Sequence, residues 1–354
     1  MKTRLGGHEN YEVHRDQFDD GSVVSHVALD AHNAEGLLRE EAALRALSGT
    51  GFAPELLASA TDELPSTLYE TDLGDTETTY TDGEALRHSM VWLLASIRAA
   101  GLRHGDLTSA NLILRDNAVR AIDWQESHRL DEPAPQKQPW TDSWLLMRTL
   151  RDLPDRNGIA DTPRIARRWM AVLEDLDAMR HSDQNPLPLK GRDFMDLGCY
   201  TGDFVALAAA EGMHAHGLDQ GGFRTGENSI EIGHQRWSDW PWDLIGGSLT
   251  LTRQDLFDMP QPLQLDVAMC FSAWIYMVEQ RGQEAALSWL AAQIANSSVL
   301  YFETQLAGDG PGPDWMPDDA ACESMLRSLG GDPRPIATIP VTGRDAARTV
   351  WAVR

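Results

Sequence analysis

From residue 192 to Arg354 the sequence alternates between short β-prone runs and apolar helical runs, and this alternation restricts the fold more than any other feature. DFMDLGC, a helical run over DFVALAAAEG, HAHGLD, a mixed segment, SLTLTRQDL and LDVAMCFS come first. Helical EAALSWLAAQIA, VLYFETQ, helical DAACESMLRSL, PIATIPVT and RTVWAVR complete the series. Strands separated by helices at this spacing predict a mostly parallel, doubly wound sheet. Only the short GRDAA turn separates the last two runs, which predicts a closing antiparallel hairpin.

The first strand–helix junction carries chemistry. Asp196-Leu-Gly198-Cys199-Tyr-Thr-Gly202 follows a strand and opens a helix. A glycine-rich turn lets a ligand approach the backbone, and the helix start offers free N–H groups. Asp219 closes the second strand, where an acid suits the two hydroxyls of a ribose. These features fit any dinucleotide-type fold, NAD-binding included, but the GxGxxG form is absent. The DxGCxxGxF pattern resembles the first motif of class I S-adenosylmethionine (SAM)-dependent methyltransferases. The resemblance covers about 192–354 and implies a Rossmann-like fold in which Asp196, Gly198, Cys199, Gly202 and Asp219 hold SAM. It further implies that Asp255 and Leu256 of TRQDLFD contact adenine, and that Phe271, closing LDVAMCF, belongs to the cofactor site.

The acceptor side is less constrained. Trp274, Tyr276 and QLAGDGPGPDW at 305–315 fit either a lid or the core, and Glu303 fits a base or a satisfied buried acid equally. Arg253, Arg344 and Arg348 are candidates to receive an anionic acceptor, with plain surface exposure the commoner role. RWSDWPWD at 236–243 offers three tryptophans as a sugar platform, with packing the commoner use of at least two.

The N-terminal half has another pattern. Residues 1–30 hold two or three short strands, and AEGLLREEAALRAL at 34–47 is an amphipathic helix with Glu40 and Glu41 at its middle. A break at Gly51 and Pro54, a strand at STLYETDLG and a second helix at 84–100 follow. HGDLTSANLILRDNAVRAIDW at 104–124 then places Asp106 five residues before Asn111 and ends in Asp123. An acid beside an attacking hydroxyl, with an Asn and an Asp for magnesium, is the set that phosphoryl transfer from ATP requires. Beyond it lie a Pro-rich loop, HRLDEPAPQKQP, and two helices, WTDSWLLMRTL and TPRIARRWMAVLEDLDAMR.

His104-Gly-Asp106-Leu, Asn111 and Asp123-Trp resemble the protein-kinase-like superfamily, nearer to aminoglycoside phosphotransferases and sugar or lipopolysaccharide-core kinases than to protein kinases. The resemblance covers about 1–180. It implies that Asp106 positions or deprotonates the acceptor hydroxyl, Asn111 and Asp123 bind magnesium, and His104 braces the loop. Glu40 matches the helix acid that pairs with the ATP-binding lysine, and Asp142 the acid that supports the loop from behind. Gly6 and Gly7 stand where a phosphate-covering loop would lie, without the full spacing. One element departs from the family: no lysine lies between Lys2 and Lys137. Asp30 cannot replace its charge; Arg15, Arg39 and His26 are the candidates.

The expected architecture is therefore two domains, an α+β two-lobed protein-kinase-like fold followed by an α/β doubly wound, Rossmann-like class I methyltransferase fold. The first spans 1–180, with a small lobe to about 72 and a helical lobe from 73; 181–191 is a linker and 192–354 the second domain. The expected activity is ATP- and Mg-dependent phosphorylation of a sugar, glycan or small-metabolite hydroxyl, and SAM-dependent methylation of the same substrate, its phosphate included. The pairing resembles bifunctional enzymes that terminate O-antigen chains, in reversed domain order and without a heptad tract. A methyltransferase with an inactive kinase-like binding or regulatory domain, and an antibiotic-type phosphotransferase, are the alternatives. A net charge of −24 argues against a nucleic-acid partner. Three cysteines without CxxC spacing, no signal-peptide core and no long apolar run point to a cytoplasmic protein without a transmembrane segment. Oligomeric state is not legible.

Overall fold

The computed structural model describes residues 2–19, 21–76, 82–130, 142–151, 161–180, 189–221, 228–259, 264–309, 312–341 and 346–354. The chain divides into two compact units, Met1–Thr162 and Pro163–Arg354. Among the described residues no helix is long and apolar enough to cross a membrane.

The first unit begins with strands β1 (Lys2–His8), β2 (Tyr11–Phe18) and β3 (Gly21–Ala28), then helix α1 (Ala31–Leu47) and strands β4 (Leu56–Ala60) and β5 (Ser66–Thr71). They form an antiparallel sheet in the order β1-β2-β3-β5-β4. Asp30 caps α1 by accepting from Asn33 N at 2.8 Å, which gives that acid a structural use. Leu37, Leu44 and Leu47 bury one face of α1, and Glu40 lies in the same stripe and is buried with them. Leu38, one position round the helix, is exposed.

Helix α2 (Gly83–Ala99), capped by Asp82, buries Leu86, Met90, Leu93, Leu94 and Ile97. Strand β6 (Leu102–Arg103) leads into a 3-10 turn at Ser109–Asn111, followed by β7 (Leu112–Arg115), β8 (Ala118–Ala121), β9 (His128–Arg129) and α3 (Asp142–Leu150). The β7–β8 hairpin turns on Asp116 and Asn117, with φ of 54° and 55°, the left-handed pair that suits a two-residue hairpin. This hairpin carries Asn111 at one end and delivers Asp123 just beyond the other.

The second unit holds most of α4 (Asp161–Arg180), then β10 (Asp193–Leu197), α5 (Asp203–Ala210), β11 (His214–Asp219), α6 (Ser229–Trp237) and β12 (Ser248–Arg253). It continues with β13 (Leu265–Phe271), α7 (Trp274–Arg281), α8 (Gln283–Ala295), β14 (Ser297–Glu303), α9 (Asp319–Ser328), β15 (Pro333–Pro340) and β16 (Ala347–Val353). The sheet order is β12-β11-β10-β13-β14-β16-β15; β10 to β14 pair in parallel and β16 is antiparallel to both neighbours. The final hairpin does not simply extend the edge: its second strand inserts between β14 and β15. The chain moves outward from β10 to β12 and then reverses through β13, so β10 and β13 flank the switch point where open α/β sheets receive ligands.

Helix α4, read from sequence as closing the first domain, buries Trp169, Val172 and Leu176 and bonds to the second unit's strands. Residues 181–188 of the expected linker lie outside the described residues, as do 131–139 of the Pro-rich loop and 343–345 of the GRDAA turn. The run after LDVAMCFS, which holds the lid-or-core residues Trp274 and Tyr276, is helix α7.

Candidate functional site

In the second unit, β10 carries buried Asp196 one residue before its end at Leu197, and the chain turns through Gly198 with φ of 87°. A Cβ on Gly198 would stand 2.2 Å from Ala273 Cβ, so the turn fits against the β13–α7 junction only without a side chain. Gly198 N donates to Leu218 O at 2.8 Å, which ties the turn to β11. Gly202, also left-handed, caps α5. Asp219, the last residue of β11, accepts from Tyr200 N at 3.0 Å and Gly221 N at 2.7 Å. Asp255 accepts from Phe257 N at 3.0 Å and from Arg281 Nη2 at 2.9 Å.

A cavity of about 290 Å³ opens over these residues at the switch point. Gly198, Asp219, Asp255, Leu256 and Phe271 line it. Asp196, Cys199 and Gly202 do not line it; they build the turn from behind. Burial, followed by the charges of Asp219 and Asp203, pushes the Asp196 carboxyl well above its ordinary range. Burial likewise raises the Cys199 thiol, which keeps it protonated. The wall also carries Tyr276, read from sequence as lid or core, together with Tyr200 and Ser272, which sequence spacing did not single out. Both adopt a positive φ, Ser272 (61°) directly after β13 and Tyr200 (52°) three residues after β10.

Glu303 at the end of β14 is a satisfied acid. It accepts from Arg168 Nε and Nη2, both at 2.7 Å, from Ser272 Oγ at 2.8 Å and from Arg348 Nη1 at 3.5 Å. Burial disfavours its charge, but Arg168, then Arg348 and Ser272, outweigh burial and hold its carboxyl below the ordinary range. A carboxylate held in this way is a poor general base. Arg348 is also bound to Asp309 at 2.5 Å. Arg253 is exposed and donates to Gln220 O at 3.2 Å, while Arg344 lies outside the described residues. Trp274, Trp237 and Trp242 are buried and donate to backbone carbonyls, so they are packing elements. The 305–315 loop brings Trp315 edge-on to Trp274; residues 310–311 within it lie outside the described residues.

In the first unit, Asp142 holds the 104–106 loop from behind: its carboxylate accepts from His104 N at 2.9 Å and Gly105 N at 3.1 Å. Gly105 has φ of 87° and its missing Cβ would sit 2.5 Å from Glu126 O. His104 is fully buried, its Nε2 within 3.0 Å of Ile122 O, and burial keeps its imidazole below the ordinary range. Asn111 Nδ2 donates to Asp106 Oδ2 at 2.8 Å and to Asp106 O at 3.0 Å. Asn111 and Asp123 line a cavity of about 690 Å³ with Gly6, Gly7, His26 and Glu70. Asp106 and His104 are not on that wall. Burial and the Glu40 carboxylate push Asp123 up to about 6.

The three candidates for the absent lysine's charge separate here. Arg15 is held by Asp72 and Asp75, at 2.7 and 3.1 Å. Arg39 is exposed and donates to Gln125 O. His26 on β3 faces Glu40 of α1, Nδ1 to Oε2 at 3.6 Å, and Glu70 of β5, Nε2 to Oε1 at 3.1 Å. Burial alone would lower His26, but Glu40 and Glu70 reverse this and carry it to about 9. Glu40 itself does not line the cavity; it stands behind His26 and accepts from Trp124 N at 3.1 Å.

No family model matches the chain, and no curated protein matches it. Among solved structures, the bifunctional kinase-methyltransferase WbdD is similar at 14% identity and a TM-score of 0.40, over 51% of this chain and 38% of that one. The magnesium protoporphyrin IX methyltransferase ChlM from Synechocystis PCC 6803, with bound SAM, is similar at 18% identity and a TM-score of 0.39, over 60% of this chain and 90% of that one. EvdMO1 is similar at 19% identity and a TM-score of 0.34, over 51% and 41%. The chain spans less than two thirds of WbdD's length.

Proposed function

We propose that the second unit is a SAM-dependent methyltransferase acting on a hydroxyl-bearing sugar or small metabolite. One observation carries the reading: Gly198, Asp219, Asp255 and Phe271, from four different strand ends or the turns after them, converge on one cavity at the sheet's switch point. The antiparallel strand β16, inserted beside the last parallel strand, resembles the closing arrangement of class I methyltransferases.

SAM fits the residues present. Gly198 lines the cavity, and its missing side chain lets the turn seat against Ala273, so backbone rather than a side chain forms the wall there. Asp219 lines the cavity with one acceptor site on Oδ2 left beside its bonds from Tyr200 N, Gly221 N and Ser229 Oγ, suited to a ribose hydroxyl. Leu256, Phe257 and Phe271 offer apolar walls to a purine. The cofactor would supply an electrophilic methyl group on a sulfonium centre. The chain's own task is then to desolvate and align an acceptor oxygen, a gain in effective concentration that requires no protein base. Glu303, committed to Arg168 and Arg348, fixes the Ser272 hydroxyl at the cavity wall instead of abstracting a proton.

The test is calorimetric titration of SAM. Asp219→Ala removes charge-assisted hydrogen bonds worth about 1.5–3 kcal/mol, a weakening of roughly 10- to 100-fold. Unchanged affinity in that variant, or no SAM binding by the parent chain, would reject the assignment.

A second activity, ATP- and Mg-dependent phosphorylation of the same acceptor by the first unit, is favoured by the Asp106–Asn111 pair and by Asn111 and Asp123 on one cavity wall. In that reading Asp106 orients the acceptor hydroxyl and Asn111 and Asp123 hold magnesium. Thermal shift with and without Mg–ATP tests it. No stabilisation, together with an Asp106→Ala variant that gives the same methylated product, leaves the first unit as a binding or regulatory module.

A further inference from the structure

We propose that His26, Glu40 and Glu70 form a binding site for a divalent first-row transition ion, Zn²⁺ or Mn²⁺, in the first unit. The three residues come from three elements, β3, α1 and β5, and each is buried. One donor atom from each lies within 4.8 Å of the others, so small side-chain rotations bring all three to one ion.

The atoms around them are arranged as ligands and supports. Tyr11 Oη lies 2.5 Å from His26 Nδ1, which fixes the ring and leaves Nε2 toward Glu70. A metal-binding imidazole is generally held through its other nitrogen in this way. Trp124 N donates to Glu40 Oε1, which leaves Oε2 on the His26 side. Glu70 Oε2 is buried and has no hydrogen-bond partner. Glu70 is only 3% exposed and lines the 690 Å³ cavity, so this oxygen is an unsatisfied acceptor at a place that small ligands reach.

Charge points the same way. One imidazole faces two buried carboxylates, with the Asp123 carboxylate contributing to the same field. An imidazolium bridging Glu40 and Glu70 offsets one negative charge and still leaves Glu70 Oε2 without a partner. A divalent ion would engage both carboxylates and the imidazole nitrogen. One nitrogen and two carboxylate oxygens form a borderline-hard donor set suited to Mn²⁺ and bound more tightly by Zn²⁺. Such an ion would also return positive charge to the β3–α1 position that lacks a lysine. That last consequence rests on the phosphoryl-transfer reading; the ion site does not.

The experiment uses the full chain, stripped of metal and free of nucleotide. Mn²⁺ is titrated and the free ion followed by electron paramagnetic resonance, with Zn²⁺ as competitor. The parent chain is expected to bind Mn²⁺ with a nitrogen coupling in the spin-echo spectrum and to release it to Zn²⁺. Glu70→Gln and His26→Gln should each weaken binding by at least about 10-fold, and His26→Gln should remove the nitrogen coupling. Asp123→Asn should retain the bound, nitrogen-coupled ion, which separates this site from the magnesium residues. Equal affinity in the parent and Glu70→Gln chains, both unfolding cooperatively, would overturn the proposal, as would bound Mn²⁺ with no nitrogen coupling. Mg–ATP turnover, measured separately, decides the phosphoryl-transfer reading whichever way the ion titration falls.

Discussion

Glu303 in the second unit and Glu40 in the first are both fully buried, yet their carboxyls are driven in opposite directions. Burial raises both. At Glu303 a bidentate Arg168, a second guanidinium from Arg348 and the Ser272 hydroxyl outweigh it, and the carboxyl is held low. At Glu40 the opposing cation is His26, which is shared with Glu70, and the carboxyl stays high. The difference lies in the supply of charge. Arg stays protonated under all ordinary conditions, whereas a histidine's charge depends on its carboxylates. Glu303 is therefore a fixed strut beside the switch-point cavity, and the Glu40 cluster is short of positive charge.

The largest expected effect breaks the strut. Arg168→Met removes both 2.7 Å contacts and leaves Glu303 with the Arg348 guanidinium and the Ser272 hydroxyl. Removing one partner of a buried pair costs about 3–5 kcal/mol, read as a fall in the urea midpoint. A loss below about 1 kcal/mol would place the pair with surface salt bridges and erase the contrast with Glu40. Glu303→Gln should act next, on the acid limb. The folded carboxyl lies below its unfolded value of about 4.3, so its contribution is present above that pH and lost as pH falls through the folded value. The parent chain should therefore lose its stability advantage over Glu303→Gln between pH 5 and the acid end of the titration. A constant gap between the two would show that the Glu303 charge is not what the arginines stabilise.

These two carboxylates also separate what local sequence can tell from what it cannot. The turn from Asp196 to Gly202, Asp219, and the 104–124 loop were legible because each depends on residues close in sequence: a strand end, a glycine that must lack a Cβ, an acid at a fixed spacing. Arg168 is 135 residues from Glu303, and no local pattern joins them. The same distance hid the allegiance of α4, whose apolar face reads alike whichever unit it packs with. The insertion of β16 beside β14 was not legible either, because a closing hairpin reads the same at the edge or one place in. Glu70 was legible in principle. Ser66, Leu68 and Glu70 alternate inward along β5 while Tyr69 points out, so strand periodicity alone puts an acid into the interior. His26 and Glu40 each stand out by their place in the kinase-like pattern, whereas Glu70, the second carboxylate that changes their meaning, belongs to no motif.

The smallest expected effect concerns that cluster. In the metal-free chain, Glu40→Gln should change stability by less than about 1 kcal/mol, because the neutral amide oxygen still accepts from Trp124 N and His26 keeps Glu70 at 3.1 Å. Removing the charge also relieves repulsion between Glu40 and Glu70, which offsets the lost attraction to His26. The same substitution in the presence of saturating Mn²⁺ should be far more costly, because an ion stabilises only the chain that binds it, by an amount that grows with its concentration relative to its dissociation constant. Thermal unfolding of the parent and Glu40→Gln chains with and without Mn²⁺ therefore gives two differences. A near-zero first difference with a positive second one marks Glu40 as a ligand awaiting a cation. A large metal-free loss would instead make the His26–Glu40 pair a strut like that of Glu303, and the two buried glutamates would differ only in degree.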